Sequence, residues 1–251
     1  MTDVSERKHN YKMVIEYDGT NYFGWQRQKS HRNTIQEMIE SSLTNILNKK
    51  IKITGAGRTD AGVHALNQVA NFKTECIESA EKLRYSLNSV LPQDITIKKI
   101  TGVKEEFHSR YSARKRKYVY QISLDKKSVQ KDYYHKLIYK PDYSKIDALI
   151  PIFKGYHSFK SLCKNDSDKH NFCCNVYELK YVLKRSKGEI IFTIIADRFL
   201  HSMVRAVIGC VIDVSRGRLD LNHTIENFKK GASIRSTYLP AKGLFLKTIY
   251  Y

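Results

Sequence analysis

The chain of 251 residues is long enough for one large or two small domains, and its 44 Lys and Arg against 25 Asp and Glu give a formal net charge of +19. This excess indicates a polyanionic partner, with nucleic acid favoured over an anionic membrane surface. The chain contains no run of about 18 apolar residues, so no transmembrane helix is predicted. The first ten residues are polar, match no signal or transit peptide, and predict a frayed tail.

The first part of the chain alternates strands and helices. Apolar residues at every second position predict a strand over Lys12–Asp18. Thr34 and Glu37 have the spacing of a capping box, and apolar residues at helical spacing behind them predict a helix to about Lys49. The elements predicted next are an extended segment Ile51–Thr54, a strand Gln68–Phe72, a helix Ser79–Val90 and a strand Ile95–Val103. This order is compatible with a ferredoxin-like α/β sandwich.

Between the first strand and the first helix lies the single tryptophan of the chain, Trp25, in the segment Gly-Trp-Gln-Arg-Gln. An aromatic side chain among polar residues is suited to stacking on nucleic-acid bases. It is equally suited to anchoring a packed loop, and the pattern leaves both interpretations open.

Residues 55–65 read Gly-Ala-Gly-Arg-Thr-Asp-Ala-Gly-Val-His-Ala and stand out by their glycines. A P-loop is excluded because the Gly-Lys-Ser/Thr ending is absent. A dinucleotide fingerprint is excluded because Asp60 stands where its third glycine belongs and would repel a pyrophosphate. What remains is a carboxylate on a constrained turn with Arg58 as a nearby charge partner. That pattern fits a catalytic aspartate and an ordinary Asx-turn about equally.

The densest local charge is the run Arg114, Lys115, Arg116 and Lys117, which leads into the predicted strand Tyr118–Ile122. Alternation places Tyr118, Tyr120 and Ile122 on one face. A basic run followed by an aromatic strand fits a surface for phosphates and bases. It also fits a solvated charge run beside a core strand.

The rest of the chain predicts further strands and three helices. A short helix around Ile146–Ile150 ends at Pro151, strands cover Tyr177–Leu183 and Ile190–Ala196, an apolar helix begins in Phe199–Arg205, and a last helix runs from an Asn222 cap to Gly231. Arg205 interrupts the apolar run of its helix. An arginine there either pairs with a carboxylate or phosphate or extends to solvent at the helix edge.

The five cysteines are an odd number without a C-x-x-C pair, which favours a reducing, cytoplasmic compartment. Cys163, Cys173 and Cys174 lie near His157 and His170 in sequence. Their spacing matches none of the usual zinc patterns, so no metal site is predicted.

Several of these motifs together resemble the TruA-type family of RNA pseudouridine synthases. The string at 55–65 is similar to the signature loop of that family, and the family's opening YDGT…GWQRQ pattern is present at 17–28. Residues 107–120 resemble its FHAR…SA..R.Y.Y pattern, 199–205 its FL..MVR motif, and 239–246 its closing strand. The resemblance extends from about Tyr17 to Tyr251.

Three positions depart from the family pattern. Ser109 replaces an alanine, Ser158 replaces an aspartate in the G.HDF segment, and Asn175 stands where an arginine-containing strand entry is usual.

The resemblance implies an α+β fold. Two ferredoxin-like (RNP-like) α/β subdomains would share a central, mainly antiparallel sheet, with the catalytic loop in the cleft between them. We predict an N-terminal subdomain, 1–112, that carries the aspartate loop. The C-terminal subdomain, 113–251, would carry the active-site tyrosine and arginine.

The resemblance also implies the site residues and the reaction. Asp60 would be the nucleophile or proton-handling carboxylate, Arg205 its ionic partner, and Tyr118 the ring that stacks on a flipped uracil. The residues expected to bind RNA are Arg58, Arg114, Lys115, Arg116 and Lys117. The implied reaction isomerises uridine to pseudouridine in the anticodon stem-loop of tRNA (positions 38–40), without metal or cofactor, in a cytoplasmic homodimer that binds no membrane.

Three other functions remain compatible with the sequence. The same chemistry acting on ribosomal RNA is one, and a non-catalytic RNA-binding module is another, although such a module has no use for Asp60. The third, a zinc-dependent RNA-modifying enzyme, is the weakest because the zinc spacing is absent.

Overall fold

A computed structural model describes residues 8–164 and 171–251. The chain divides into two compact units, the first of which runs to Arg114 and also includes Leu246–Tyr251. The second unit is Lys115–Phe245. The last six residues of the chain therefore belong with the first unit. The proposed subdomain boundary at 112/113 stays a prediction. Of the predicted frayed tail, residues 1–7 lie outside the described residues, whereas His9 and Asn10 begin a strand, so the tail is shorter than predicted. His170 also lies outside the described residues.

The first unit is built from the predicted succession of strands and helices. Its elements are β1 (His9–Tyr17), α1 (Ile35–Leu47), β2 (Thr54–Gly55), β3 (His64–Thr74), α2 (Ala80–Val90) and β4 (Ile95–Val103). The antiparallel sheet has the order β4, β1, β3, β2, which is the ferredoxin-like arrangement. Met13 of β1 lies opposite Ala70 of β3 and Ile100 of β4. Alternation along β1 thus places one set of side chains in the core.

Helix α1 begins where the capping pattern predicts. Thr34 is the N-cap and its hydroxyl accepts a hydrogen bond from the Glu37 N–H at 3.4 Å. The second half of the capping box is replaced, because the Thr34 N–H donates to the Arg32 carbonyl and the Glu37 carboxylate lies 3.5 Å from Arg27 Nη2. The stripe Ile35, Ile39 and Leu43 is fully buried.

The second unit repeats the strand–helix–strand–strand–helix succession with additions. Its elements are β5 (Lys115–Ser123), β6 (His135–Lys136), α3 (Tyr143–Leu149), β7 (Gly155–Ser158), β8 (Cys173–Lys184), β9 (Glu189–Ala196), α4 (Met203–Ser215) and α5 (Leu221–Lys230). The strands β5, β9, β8 and β7 are antiparallel neighbours in that order. Strand β10 (Leu244–Tyr250) belongs to the first unit from Leu246 onward, where it lies beside β3. The α+β class with mainly antiparallel strands is confirmed.

Two local predictions need correction. The helix predicted from Phe199 starts at Met203, because Ser202 has a left-handed backbone (φ 56°) that the helix cannot include. Asn222 does not cap α5, because the Asp220 carboxylate accepts the His223 N–H at 2.8 Å and Asn222 lies inside the helix. Strand β7 was not predicted, since its sequence Gly-Tyr-His-Ser shows no alternation of apolar residues.

Candidate active site

Asp60 lies on the loop between β2 and β3, in the first unit. Its main-chain oxygen accepts the Val63 N–H at 3.2 Å, which closes a β-turn with Gly62 at φ 75°. A turn with positive φ at its third residue requires glycine or asparagine there. The main chain closes the turn and holds Asp60 at a half-buried position.

The segment around Trp25 packs against this loop and binds its main chain. The main-chain N–H of Trp25 donates to the Thr59 carbonyl at 3.1 Å. Gly24 (φ 85°) approaches so closely that a Cβ there would lie 2.5 Å from the Thr59 oxygen. Trp25 is 1% exposed and its ring covers Gly55. Of the two interpretations that the sequence left open, the structure supports the loop anchor, because a buried indole cannot stack on a base.

Two side chains, Tyr17 of β1 and Gln68 of β3, also bind the loop. The Tyr17 hydroxyl lies 2.8 Å from Thr59 Oγ1, and Gln68 Nε2 donates to the Gly57 carbonyl at 2.9 Å. Burial raises the pKa of Tyr17 well above its usual value, so the hydroxyl stays neutral and remains a hydrogen-bonding group. The loop is therefore fixed on both sides of Arg58 and directly before Asp60.

Arg58 projects from this loop with an exposed side chain. Its Nε donates to Gln26 Oε1 at 3.2 Å. Gln26 belongs to the Gly-Trp-Gln-Arg-Gln segment, in which the sequence predicted a role only for the tryptophan.

Tyr118 lies in the second unit, on the buried face of β5. It is 8% exposed, and its ring meets Phe199 edge to face with 5.1 Å between centroids. Tyr120 follows on the same face and its hydroxyl donates to the Pro240 carbonyl at 2.8 Å. The predicted shared face of Tyr118, Tyr120 and Ile122 is confirmed by their burial.

Arg205 is the exception in helix α4, where the other twelve of thirteen residues are buried. Its Nε donates to the Leu239 carbonyl at 2.6 Å, and the Leu239 N–H donates to the Arg205 carbonyl at 3.4 Å. The guanidinium is thus oriented by a main-chain oxygen of the segment that precedes β10. No sequence pattern predicts that contact, because a carbonyl group is common to all residues.

The segment that carries Leu239 is itself held against α4. Asp213 is 1% exposed and accepts the Thr237 N–H at 2.7 Å, while Arg216 and Arg218 lie against its carboxylate oxygens. Burial opposes ionisation of Asp213, but the hydrogen bonds from Arg218 and Thr237 outweigh it and lower the pKa, so the carboxylate remains ionised. A Cβ at Gly209 would lie 1.8 Å from the Thr237 oxygen, so the segment needs glycine at this point of the helix.

The basic run is divided by the geometry of its strand. Arg116 points to the buried face with Tyr118, and its Nη1 donates to the Asp197 carbonyl at 2.7 Å. Lys115 and Lys117 point to the opposite face, where the Lys115 ammonium lies 4.2 Å from the centroid of the Tyr177 ring. The four charges therefore do not form one continuous surface.

The three departures from the family pattern have different surroundings. Ser109 is fully buried, and its hydroxyl and N–H both donate to Asn71 Oδ1, at 2.8 and 2.9 Å. Asn175 lies in β8, where its N–H donates to Asp197 Oδ1 at 2.9 Å, and Ser158 is exposed on β7. The serine at 109 is thus accommodated by a matching polar partner.

Over residues 8–164 and 171–251, no three His, Cys, Asp or Glu side chains are grouped so that they could hold a metal ion. Burial raises the pKa of the Cys174 thiol to about 12. In the same residues, no helix is both long enough and apolar enough to cross a membrane.

Comparison with known proteins gives consistent matches. Residues 13–112 and 150–251 match a family model described as tRNA pseudouridine synthase. A tRNA pseudouridine synthase A of Thermodesulfovibrio yellowstonii is 39% identical, with 96% of this chain and 99% of the relative covered. One of Acetivibrio thermocellus is 35% identical with the same coverage. Among solved structures, a chain of "Crystal Structure of a Cbf5-Nop10-Gar1 Complex" is 13% identical at a TM-score of 0.39, covering 80% of this chain and 44% of that one.

Proposed function

Since the chain belongs to the tRNA pseudouridine synthase family, we propose that it acts on tRNA and isomerises uridines of the anticodon stem-loop, at positions 38–40. The chain is a pseudouridine synthase, an isomerase. The observation that carries the proposal for this chain's own residues is the loop of Asp60, where a carboxylate is held on a turn fixed from two sides in a protein of net charge +19.

The reaction breaks the N1–C1′ bond of uridine and forms a C5–C1′ bond, and the proton lost from C5 is replaced by one gained at N1. It is a balanced isomerisation that requires no oxidant and no phosphoryl donor. The target base must leave its stack before an enzyme can reach it. We assign Asp60 the role of the reacting carboxylate, which acts as nucleophile or transfers the proton.

Tyr118 and Arg205 complete the proposed catalytic set. The edge contact with Phe199 holds the Tyr118 ring in one orientation, which suits a ring that stacks on the flipped uracil. The Leu239 carbonyl holds the Arg205 guanidinium in the same manner. In our proposal Arg205 pairs with Asp60 and keeps it ionised.

RNA binding is assigned to Arg58, Arg114, Lys115, Arg116 and Lys117. The division of the basic run suggests two kinds of contribution within it. Arg116 supports the strand through Asp197, whereas Lys115 and Lys117 lie on the opposite face and neutralise phosphates.

We expect RNA affinity to fall steeply with salt, because each phosphate contact on single-stranded RNA lowers log K by about 0.7 per decade of salt. Replacing Lys115 and Lys117 together with alanine should weaken binding equally for target and non-target RNA. It should also make the salt slope shallower by up to about 1.4. Filter binding at several salt concentrations measures both quantities.

Tyr118→Phe is the control for this measurement, because it changes no charge and should leave the salt slope unaltered. An unchanged slope in the double lysine variant would place the phosphate-binding surface elsewhere on the protein.

The choice of RNA is tested with purified protein, tRNA transcripts and a ribosomal RNA fragment. We expect pseudouridine to appear in the anticodon stem-loop of the tRNA and not in the ribosomal fragment. Product confined to the ribosomal fragment would favour the ribosomal substrate, and binding without product would favour a non-catalytic RNA-binding module. Activity that depends on stoichiometric zinc would favour the metal-dependent alternative.

The protein is further proposed to be a cytoplasmic homodimer. The cytoplasm is where tRNA is found, and five cysteines without a disulfide suit a reducing compartment. Light scattering of the purified protein measures the oligomeric state.

A further inference from the structure

Arg58 is connected to the buried side chain of Glu40 by a row of hydrogen bonds through two glutamine amides. Arg58 Nε donates to Gln26 Oε1 at 3.2 Å, and Gln26 Nε2 donates to Gln36 Oε1 at 2.7 Å. Gln36 Nε2 then donates to Glu40 Oε1 at 2.9 Å. All four side chains belong to the first unit, and Glu40 is only 4% exposed.

An amide group can present either its oxygen or its nitrogen to a neighbour, so the direction of such a row needs a cause. Here Gln36 is oriented by three groups with no choice of their own. The Glu40 carboxylate and the Ile53 carbonyl accept from Gln36 Nε2, at 2.9 and 3.1 Å, and the Arg27 N–H donates to Gln36 Oε1 at 3.1 Å. Gln36 is therefore fixed with its oxygen toward Gln26.

The orientation of Gln26 follows from that of Gln36. Because Gln36 presents an oxygen, Gln26 must present its NH₂ group to it, and the Gln26 oxygen is left facing Arg58. A guanidinium has donors only, so an oxygen is the group that it requires. The buried carboxylate thus determines, through two amides, that an acceptor faces the arginine of the catalytic loop.

Glu40 is itself held in place. Its Oε1 accepts the Ile53 N–H at 3.0 Å, and its Oε2 lies 3.2 Å from Arg27 Nη1. Ile53 comes directly before β2, which leads into the loop of Asp60. The origin of the row is therefore tied to the backbone at the entrance of that loop.

We propose that Gln26, Gln36 and Glu40 form a polarised relay that positions Arg58 for the flipped nucleotide, with Gln26 as the positioning residue in contact with it. This inference rests on the proposed RNA-holding role of Arg58. Gln26, the first glutamine of the Gly-Trp-Gln-Arg-Gln segment, has no role in the reaction itself and would act by orienting Arg58.

A double-mutant cycle tests the relay. Gln26→Met keeps the length of the side chain and removes both hydrogen bonds, and we expect the single-turnover rate at saturating tRNA to fall about tenfold, with little change in Kd. In an Arg58→Ala background the same change should alter the rate by less than about twofold, because its target is already absent. The rate is measured by the loss of the C5 proton from the target uridine.

Gln28→Met is the matched control. Gln28 belongs to the same segment, but its Nε2 donates to the Phe23 carbonyl at 2.9 Å. Its replacement should leave the rate unchanged in both backgrounds. Gln36→Met, which removes the acceptor of Gln26 without touching Arg58, should show the same dependence on Arg58 with a smaller effect, and it provides a second cycle if Gln26→Met melts early.

Equal effects of Gln26→Met with and without Arg58 would overturn the relay while leaving the role of Arg58 intact. A fully active Arg58→Ala variant would overturn both. Neither result would affect the assignment of the reaction, which depends on Asp60.

Discussion

Asp60→Asn should abolish pseudouridine formation, with the single-turnover rate reduced by at least about 10³-fold. A side chain that transfers protons in the transition state commonly contributes about 10² to 10⁴, and an amide can neither attack as a carboxylate does nor accept a proton at neutral pH. Fold and turn should survive, because the turn is closed by the main-chain oxygen of residue 60 and asparagine suits turns as well as aspartate.

RNA binding of the Asp60→Asn variant should be equal to or tighter than that of the wild type, because a negative charge is removed from the vicinity of the phosphates. Filter binding and C5-proton release on the same tRNA separate the two effects. Asp220→Asn is the control: it makes the same change in charge at the N-cap of α5, where asparagine caps equally well, and should be fully active. A rate near that of the wild type in Asp60→Asn would end the catalytic assignment.

Arg205→Ala should lose activity by about 10²-fold or more, the effect of removing one preorganised charged group from an active site. It should also be less stable by about 1.5–3 kcal/mol, since the Leu239 carbonyl loses a charged donor at 2.6 Å. Pairing of Arg205 in a buried salt bridge would imply a larger loss of about 3–5 kcal/mol. The half-buried position of Arg205 favours the smaller value.

Two further variants separate activity from stability at this helix. Arg205→Lys keeps the charge but lacks the planar guanidinium, so it should regain part of the stability and little of the activity. Arg216→Ala removes an arginine from just beyond the other end of α4, where it pairs with Asp213, and should lower stability while the folded protein keeps its rate. Thermal melts and single-turnover rates measure both effects. If Arg205→Ala turns over normally, its proposed partnership with Asp60 is wrong.

Much of the fold was readable from the sequence where local physics is decisive. The alternation in β1, the Thr34 cap of α1 and the helical spacing of α2 each depend on residues a few positions apart, and all appear in the structure. The errors arose where local signals were ambiguous. The apolar run from Phe199 has the composition of a helix throughout. The helix nevertheless begins only at Met203, because Ser202 has a left-handed backbone.

By itself, the sequence determined the succession of strands and helices in the first unit, the charged character of the partner and the loop in which Asp60 lies, because these follow from periodicity, composition and an unusual string of residues. The α+β class was implied by the resemblance of its motifs to a family. Only the tertiary structure decided how that loop and its neighbours are held. Thr59 is held by Trp25, Arg205 by the Leu239 carbonyl, and Arg58 through two amides by Glu40. Such contacts join residues far apart in the chain, often through main-chain oxygens, and hydrogen bonds to groups that every residue carries leave no pattern in a sequence.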